Sequence, residues 1–445
     1  MNKQTVNIVT LGCSKNEVDS ELMQSILDKE NFIYSENPMD SEVIIVNTCG
    51  FIEAAKEESI DTILEMSKYK VEGKCKHLIL AGCLAQRYSS ELMDEMPEVD
   101  AIMGTGNIKD LNGILNDLKK EGRIIQSEDV DSSYLEGVDR IVTSPTAYVR
   151  ISEGCDNLCT YCIIPALRGK HRSRKMEDIV SEVEYLADQG VREIILIAQN
   201  TSDYGVDLYG EFSLHSLLDK LNEIEGLEFI RLLYLYPDNI DKQLIDSIKR
   251  NSKVAHYLDI PLQHASDNVL RMMNRRTTKK SILTTIEKLR EEIPDIVLRT
   301  TFIVGFPGET EEDFQDLYQF IEEVKFDKLG VFTYSKEENT PAFHLPDQID
   351  GNIKEERRDK LMELQRKISE KLMSHKVGKV YKVMVEELAE EGLYVGRTYM
   401  DSPEIDGVVY FRSEEEHEAG DMVFVRTNEY LEYDLLGELT DEPGK

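Results

Sequence analysis

Gly154-Cys155-Asp-Asn-Leu-Cys159-Thr-Tyr-Cys162-Ile163 sets three cysteines in a C-x3-C-x2-C array just after an apolar run that ends at Ile151. Thiolates are the usual ligands of iron–sulfur clusters. A cubane cluster holds four irons, so a three-cysteine loop leaves one iron open to a small molecule. A structural zinc site and a group of simply buried cysteines are the competing readings. Zinc in a closed site takes four ligands, and no fourth Cys or His follows at the customary short spacing. Gly154 and the polar residues around the thiols make a poor core.

Working outward toward residue 1, the chain repeats one pattern. Val6-Asn-Ile-Val-Thr-Leu-Gly12, Val43-Ile-Ile-Val-Asn47 and His77-Leu-Ile-Leu-Ala-Gly82 read as buried strands, each followed by a helical, acidic segment. Such alternation builds a doubly wound parallel sheet. Cys13, Cys49 and Cys83 each fall at the carboxyl end of one of these strands, and that edge is where open α/β sheets bind ligands. One such placement is what common buried cysteines give; three are better explained by a shared thiol site. Cys75, in a polar run before the third strand, has no partner in this scheme and reads as a free thiol. A fourth unit at 101–107 completes the sheet, and the polar stretch 119–145 reads as a linker.

Beyond the cysteine loop, strand candidates at 147–151, 193–198, 229–236, 257–261, 297–304 and 329–334 alternate with helical patterns. Six βα units with their site at the carboxyl strand ends suggest an incomplete (β/α)6 barrel. Site candidates then lie just after strands: Gln199 and Asn200 after the second, Pro261–Ser266 after the fourth, Gly305 and Gly308 after the fifth. His264 reads as a hydrogen-bonded structural residue. The cationic run 165–174 either anchors the cysteine loop, offsets cluster charge or faces water. Helical spacing of Leu361, Leu364, Ile368 and Leu372 leads into a last segment of five short strands, a small β-barrel. The division expected is 1–125, 141–375 and 376–441.

The loop at 155–162 resembles the cluster loop of the radical S-adenosylmethionine (SAM) family. In that family the methionine end of SAM chelates the open iron, and an electron from the cluster cleaves SAM to a 5′-deoxyadenosyl radical. The resemblance implies that the main chain at Tyr161 lies along the adenine, that Gln199 and Asn200 stand where the family binds the methionine amine, and that backbone at Gly305 and Gly308 runs against the adenosyl group. Leu11-Gly-Cys-Ser-Lys-Asn16, Asn47-Thr-Cys-Gly-Phe-Ile52 and Gly82-Cys-Leu-Ala-Gln-Arg87 further resemble the three cysteine motifs of the methylthiotransferase family, and the final barrel resembles its TRAM domain. That implies two [4Fe–4S] clusters, the second on Cys13, Cys49 and Cys83 delivering sulfur, with two SAM molecules and an electron donor such as a flavodoxin-like reductant.

One branch of that family modifies a tRNA adenosine near the anticodon, another the β-carbon of an aspartate in small-subunit ribosomal protein S-twelve. Gly12-Cys-Ser-Lys-Asn16 and Asn47-Thr-Cys-Gly-Phe-Ile52 look more like the second branch, whose first motif usually has proline where Ser14 stands. Charge agrees: 445 residues carry 52 Lys and Arg against 86 Asp and Glu, a formal net charge of −34. Residues 376–445 hold 7 Lys and Arg against 18 Asp and Glu. That field attracts a basic ribosomal protein and repels a phosphate backbone, which argues against tRNA. A solubility bias explains the charge equally well when the charge is taken alone. A non-catalytic iron–sulfur carrier or scaffold leaves the turn at 305–310 unexplained. No stretch is apolar enough for a membrane span, Met1 is not followed by a signal pattern, and an odd count of seven cysteines favours reduced thiols; the expected place is the cytoplasm.

Overall fold

The first apolar runs form a parallel sheet in the computed structural model, which describes residues 4–29, 32–127, 135–137 and 140–444. Its strands are β1 (Thr5–Thr10), β2 (Ile33–Tyr34), β3 (Val43–Thr48), β4 (His77–Ala81), β5 (Ala101–Met103) and β6 (Ile124–Gln126), in the order β2-β1-β3-β4-β5-β6. Val43, Ile44, Ile45 and Val46 are all fully buried because helices cover both faces, which is why β3 is an unbroken apolar run. The chain leaves β1 toward β2 and returns to β3 on the other side, so the strand order reverses between β1 and β3. Two strands are additions to the sequence reading. The two-residue β2 is too short to show periodicity, and β6 lies inside the expected linker, where it pairs in parallel with β5. Residues 128–134 and 138–139 of that stretch are outside the described residues.

The second sheet is built from β7 (Thr146–Arg150), β10 (Glu193–Ile197), β11 (Phe229–Leu232), β12 (Val254–Asp259), β13 (Val297–Val304) and β14 (Lys328–Thr333). A short antiparallel ribbon, β8 (Ser152–Glu153) with β9 (Arg172–Ser173), separates β7 from β10. The six long strands are parallel and lie in chain order, β7 and β14 forming the two open edges, so the barrel is incomplete. The expected strand at 229–236 stops at Leu232 because Tyr234 adopts φ +61°, a left-handed turn that no strand tolerates.

Strand alternation divides this sheet between two cores. Ile194, Leu196, Ile230 and Leu232 face the outer helices, whereas Ile195, Ile197, Tyr257 and Val297 face inward. The inner group packs in one cluster with Tyr381, Val383 and Met400 of the last segment. That segment follows the helix Gly351–Ser374 and closes as a five-stranded barrel of β15 (Val380–Glu390), β16 (Leu393–Arg397), β17 (Val409–Arg412), β18 (Met422–Tyr430) and β19 (Leu435–Leu439).

The end of β16 and the loop after it insert polar groups into the same inner face, and each finds a partner there. Glu193 Oε1 accepts from Arg231 Nε at 2.7 Å, and Glu193 Oε2 meets Arg397 Nη2 at 2.8 Å. Arg231 also donates to the carbonyls of Tyr399 and Thr398, Lys328 pairs with Asp401 at 2.9 Å, and Tyr257 donates to Asp406 at 2.7 Å. Burial alone would raise the Glu193 carboxyl, but the two guanidiniums outweigh it and hold the pKa below the usual carboxylate range. Glu193→Ala strands the buried Arg231 guanidinium, leaves Arg397 with Glu386 alone, and costs about 3–5 kcal/mol. The expected result is a lowered urea midpoint by circular dichroism, with Glu193→Gln falling between the variant and the native protein.

Candidate active site

Six thiols from two different sheets line one cavity of about 360 Å³: Cys13, Cys49 and Cys83 from the first, Cys155, Cys159 and Cys162 from the second. The first three follow β1, β3 and β4, which are neighbours in the sheet and include the pair where the strand order reverses. Side chains of the surrounding motifs tie the strand ends together. Asn16 Nδ2 donates to the carbonyls of Leu11 and Thr48, Asn47 Nδ2 donates to the Asn16 carbonyl at 2.8 Å, and Thr48 Oγ1 donates to the Ala81 carbonyl at 2.6 Å. Gly12, at φ +92°, lets its backbone pass Cys49: a Cβ there would sit 2.7 Å from the Cys49 Cβ.

The second three occupy the loop whose two ends are clamped by the β8–β9 ribbon. Gly154, at φ +78°, leaves room for the returning strand, since a Cβ would lie 2.1 Å from the Lys170 carbonyl oxygen. Cys155 N–H donates to the Gly169 carbonyl, Thr160 Oγ1 to the Met272 carbonyl and Asn274 Nδ2 to the Leu158 carbonyl, so the loop is fixed from its own barrel. Burial pushes the thiols of Cys49 and Cys155 up to about 11 and that of Cys162 up to about 12. Loading metal on them therefore releases protons.

The fit of these donors to iron–sulfur clusters rests on their grouping: one set of three stands at the carboxyl ends of β1, β3 and β4, the other on the loop between the two strands of the ribbon. Each set has its own cation. Arg168 Nη2 donates to Cys83 Sγ at 3.2 Å; Arg275 acts on Cys162 and stacks on Tyr236 at 4.1 Å. Three thiolates with a buried guanidinium suit an anionic cluster.

Arg168 also joins the two halves of the site. Its Nη1 meets Asp19 at 3.5 Å and Glu153 at 3.2 Å, and Arg150 bonds the same two carboxylates at 2.8 and 3.0 Å. Burial would raise Glu153, but Arg168 and Arg150 outweigh it and keep its pKa low.

Of the other residues singled out from the sequence, Tyr161, Gln199 and Asn200 line the cavity. Gln199 Nε2 donates to Glu153 at 2.9 Å, which leaves its buried carbonyl Oε1 without a hydrogen-bond donor, a vacancy suited to an ammonium. Gly305 and Gly308 are not among the cavity-lining residues. Gly305 N–H donates to Glu309 Oε2 at 2.5 Å, and Gly308 N–H to the Asp347 carbonyl at 3.0 Å. Cys75 is buried in the hydrophobic core of the first sheet, and His264 is fully buried, its Nδ1 accepting from the Ser266 N–H. Pro261 and Gln263, from the run after the fourth strand, line the cavity too, and so do Lys15, Tyr234 and Arg275, which were not singled out. Tyr234 and Gln263 have φ of +61° and +71°, and such backbone geometry leaves no trace in the residue type. Lys15 sits inside a cysteine motif, the one signal that marks it.

Comparison with known proteins agrees with this arrangement. The family model described as the radical SAM superfamily matches residues 149–321, that of the uncharacterized protein family UPF0004 matches 5–104, and that of the TRAM domain matches 377–440. The ribosomal protein uS12 methylthiotransferase RimO of Clostridioides difficile is 50% identical over 98% of this chain and 99% of its own length; that of Acetivibrio thermocellus is 50% identical over the whole of both. Among solved structures, the radical SAM methyltransferase TsrM of Kitasatospora setae superposes with a TM-score of 0.55 at 15% identity, covering 74% of this chain and 73% of that one. The cobalamin-dependent radical enzyme OxsB gives 0.51 at 15% identity over 83% and 56%. At these identities the two structures speak for the fold alone. No helix among the described residues is long and apolar enough to cross a membrane. Matched along nearly its entire length at half identity, the chain belongs to the ribosomal protein uS12 methylthiotransferase family of radical SAM enzymes.

Proposed function

We propose that the enzyme inserts a methylthio group at the β-carbon of an aspartate in ribosomal protein uS12, with one [4Fe–4S] cluster on Cys155, Cys159 and Cys162 and a second on Cys13, Cys49 and Cys83. Methylthiolation of uS12 and the use of SAM and [4Fe–4S] chemistry come with the family. The observation that carries the finer reading is that thiols from two separate sheets line one cavity. When bound, the cofactors supply hydrogen abstraction from an unactivated carbon and the sulfur that replaces the hydrogen, work beyond any amino-acid side chain.

The chain's own part is to hold, orient and shield. Asn16, Asn47 and Thr48 fix the three strand ends that carry one set of thiols, and the β8–β9 ribbon fixes the loop that carries the other. Gln199 Oε1 would accept from the SAM ammonium, with Asn200 beside the methionine end and the main chain at Tyr161 along the adenine. Leu235, Ile164 and Pro261 supply apolar wall that limits water at the reacting carbon. Arg168 and Arg275 balance the charge of the two thiolate sets.

The acidic surface supports a basic protein as partner rather than tRNA, because residues 376–445 carry 18 acidic against 7 basic side chains. The reading includes two SAM per turnover, a flavodoxin-like electron donor, work in the cytoplasm, and division of the chain at 1–125, 141–375 and 376–441.

Anaerobic incubation of the cluster-loaded enzyme with SAM, dithionite, uS12 and tRNA together is expected to yield a methylthiolated uS12 aspartate by peptide mass spectrometry. A modified tRNA beside unmodified uS12 overturns the assignment. In the same assay Cys155→Ala is expected to abolish 5′-deoxyadenosine formation, whereas Cys49→Ala retains measurable SAM cleavage and loses sulfur transfer. Full methylthiolation by Cys49→Ala removes the second cluster from the reading.

A further inference from the structure

Among the described residues the cavity is lined by Lys15, Arg168 and Arg275 and by no Asp or Glu, in a chain with 86 acidic residues. Two of these cations are already committed. Arg168 pairs with Asp19 and Glu153 and donates to Cys83, and Arg275 lies against Tyr161, Tyr236 and Cys159. Lys15 has a different environment. It is 9% exposed, and its Nζ stands 3.7 Å from the centroid of the Tyr234 ring. No carboxylate among the described residues lies within ion-pair distance of its Nζ; Glu153, whose charge it feels, is paired with Arg150 and Arg168. The close contact of Lys15 is one aromatic face, and the Glu153 charge that it feels is shared with Arg150 and Arg168, so the ammonium has no carboxylate of its own.

The position of Lys15 is fixed from both sides. Its carbonyl accepts from Arg150 Nη2, and the neighbouring Ser14 Oγ lies 3.4 Å from the Tyr234 hydroxyl. The ring under Nζ is in turn held by the Tyr234 N–H, which donates to Asp259. Lys15 is also two residues from Cys13, so the ammonium stands beside the thiol set assigned to sulfur delivery.

We infer that the Lys15 ammonium receives the side-chain carboxylate of the substrate aspartate, and so makes the cavity select an acidic side chain. This rests on the uS12 aspartate reading above. In aspartate the β-carbon is bonded directly to the carboxylate carbon, so gripping the carboxylate fixes the reacting carbon to within one bond. The same contact is wasted on a neutral amide or a nucleobase, which brings the ammonium no carboxylate of its own.

The test compares native enzyme, Lys15→Met and Lys15→Arg in cluster-loaded form on two substrates, uS12 and uS12 with its target aspartate replaced by asparagine. The readout is the ratio of kcat/KM for the two substrates within one preparation, so differences in cluster loading cancel. The native enzyme is expected to prefer the aspartate form by about a hundredfold. Lys15→Met should bring that preference to within about threefold, mostly through a raised KM on the aspartate form, and Lys15→Arg should restore most of it. Retention of the native ratio by Lys15→Met overturns the inference while leaving the uS12 reading standing. Equal losses on both substrates overturn it as well. A native enzyme that leaves the uS12 aspartate unmodified overturns both.

Discussion

Four buried charges hold the active site at its working width. Asp19 comes from the helix that follows β1, whereas Arg150, Glu153 and Arg168 come from the end of β7, the ribbon and the cysteine loop's exit. All four side chains are at most 3% exposed. Desolvating such a set is expensive, and its attraction offsets the cost only when every member is in place. The two sheets are therefore free to approach in one register, the one in which both arginines reach both carboxylates. Either thiol set alone is a surface feature of its own sheet. The cavity exists because this network presses the two strand edges together.

The barrel makes the complementary contact. Its polar loop occupies the inner face of the second sheet, where six parallel strands would otherwise expose apolar side chains to water. An eight-stranded barrel fills that space with its own side chains. Here a six-stranded one fills it with Tyr381, Val383 and Met400, and it satisfies Glu193, Arg231 and Lys328 with groups from the loop. The plug of the catalytic sheet is thus also an acidic element, with 18 acidic against 7 basic side chains in residues 376–445. A partner attracted by that charge arrives on an element rigidly coupled to the site.

Most of this was legible in the sequence for a physical reason. Buried parallel strands must be continuous apolar runs, so β1, β3, β4 and β13 announce themselves, and cysteines at their carboxyl ends fall on the ligand-binding edge by the geometry of the fold. Edge elements such as β2 and β6 bury little and leave no pattern. A glycine turn after a strand is a backbone signal of another kind, and the turn at Gly305 and Gly308 donates to the Glu309 carboxylate and the Asp347 carbonyl. Arg168 was visible only as one cation in a run, because what distinguishes it from Lys170 or Arg172 is a carboxylate on another sheet more than a hundred residues away.

Charge of opposite sign inside and outside follows from the chemistry that the site must host. Thiolate-bound clusters and the carboxylate of an amino-acid cofactor are anions, and an aspartate side chain adds another. A cavity that contained a single carboxylate would repel all of them at once in a low dielectric, where each repulsion is worth several times its value in water. Glu153, an acid close to the cavity, is accordingly tied down by two arginines and turned to accept from Gln199. Outside, the 18 acidic against 7 basic side chains of residues 376–445 give a field of the opposite sign. The approach of the substrate and the capture of its acidic side chain thus call for fields of opposite sign. The fold separates them by assigning the first to the barrel surface and the second to Lys15, Arg168 and Arg275 beneath the strand ends.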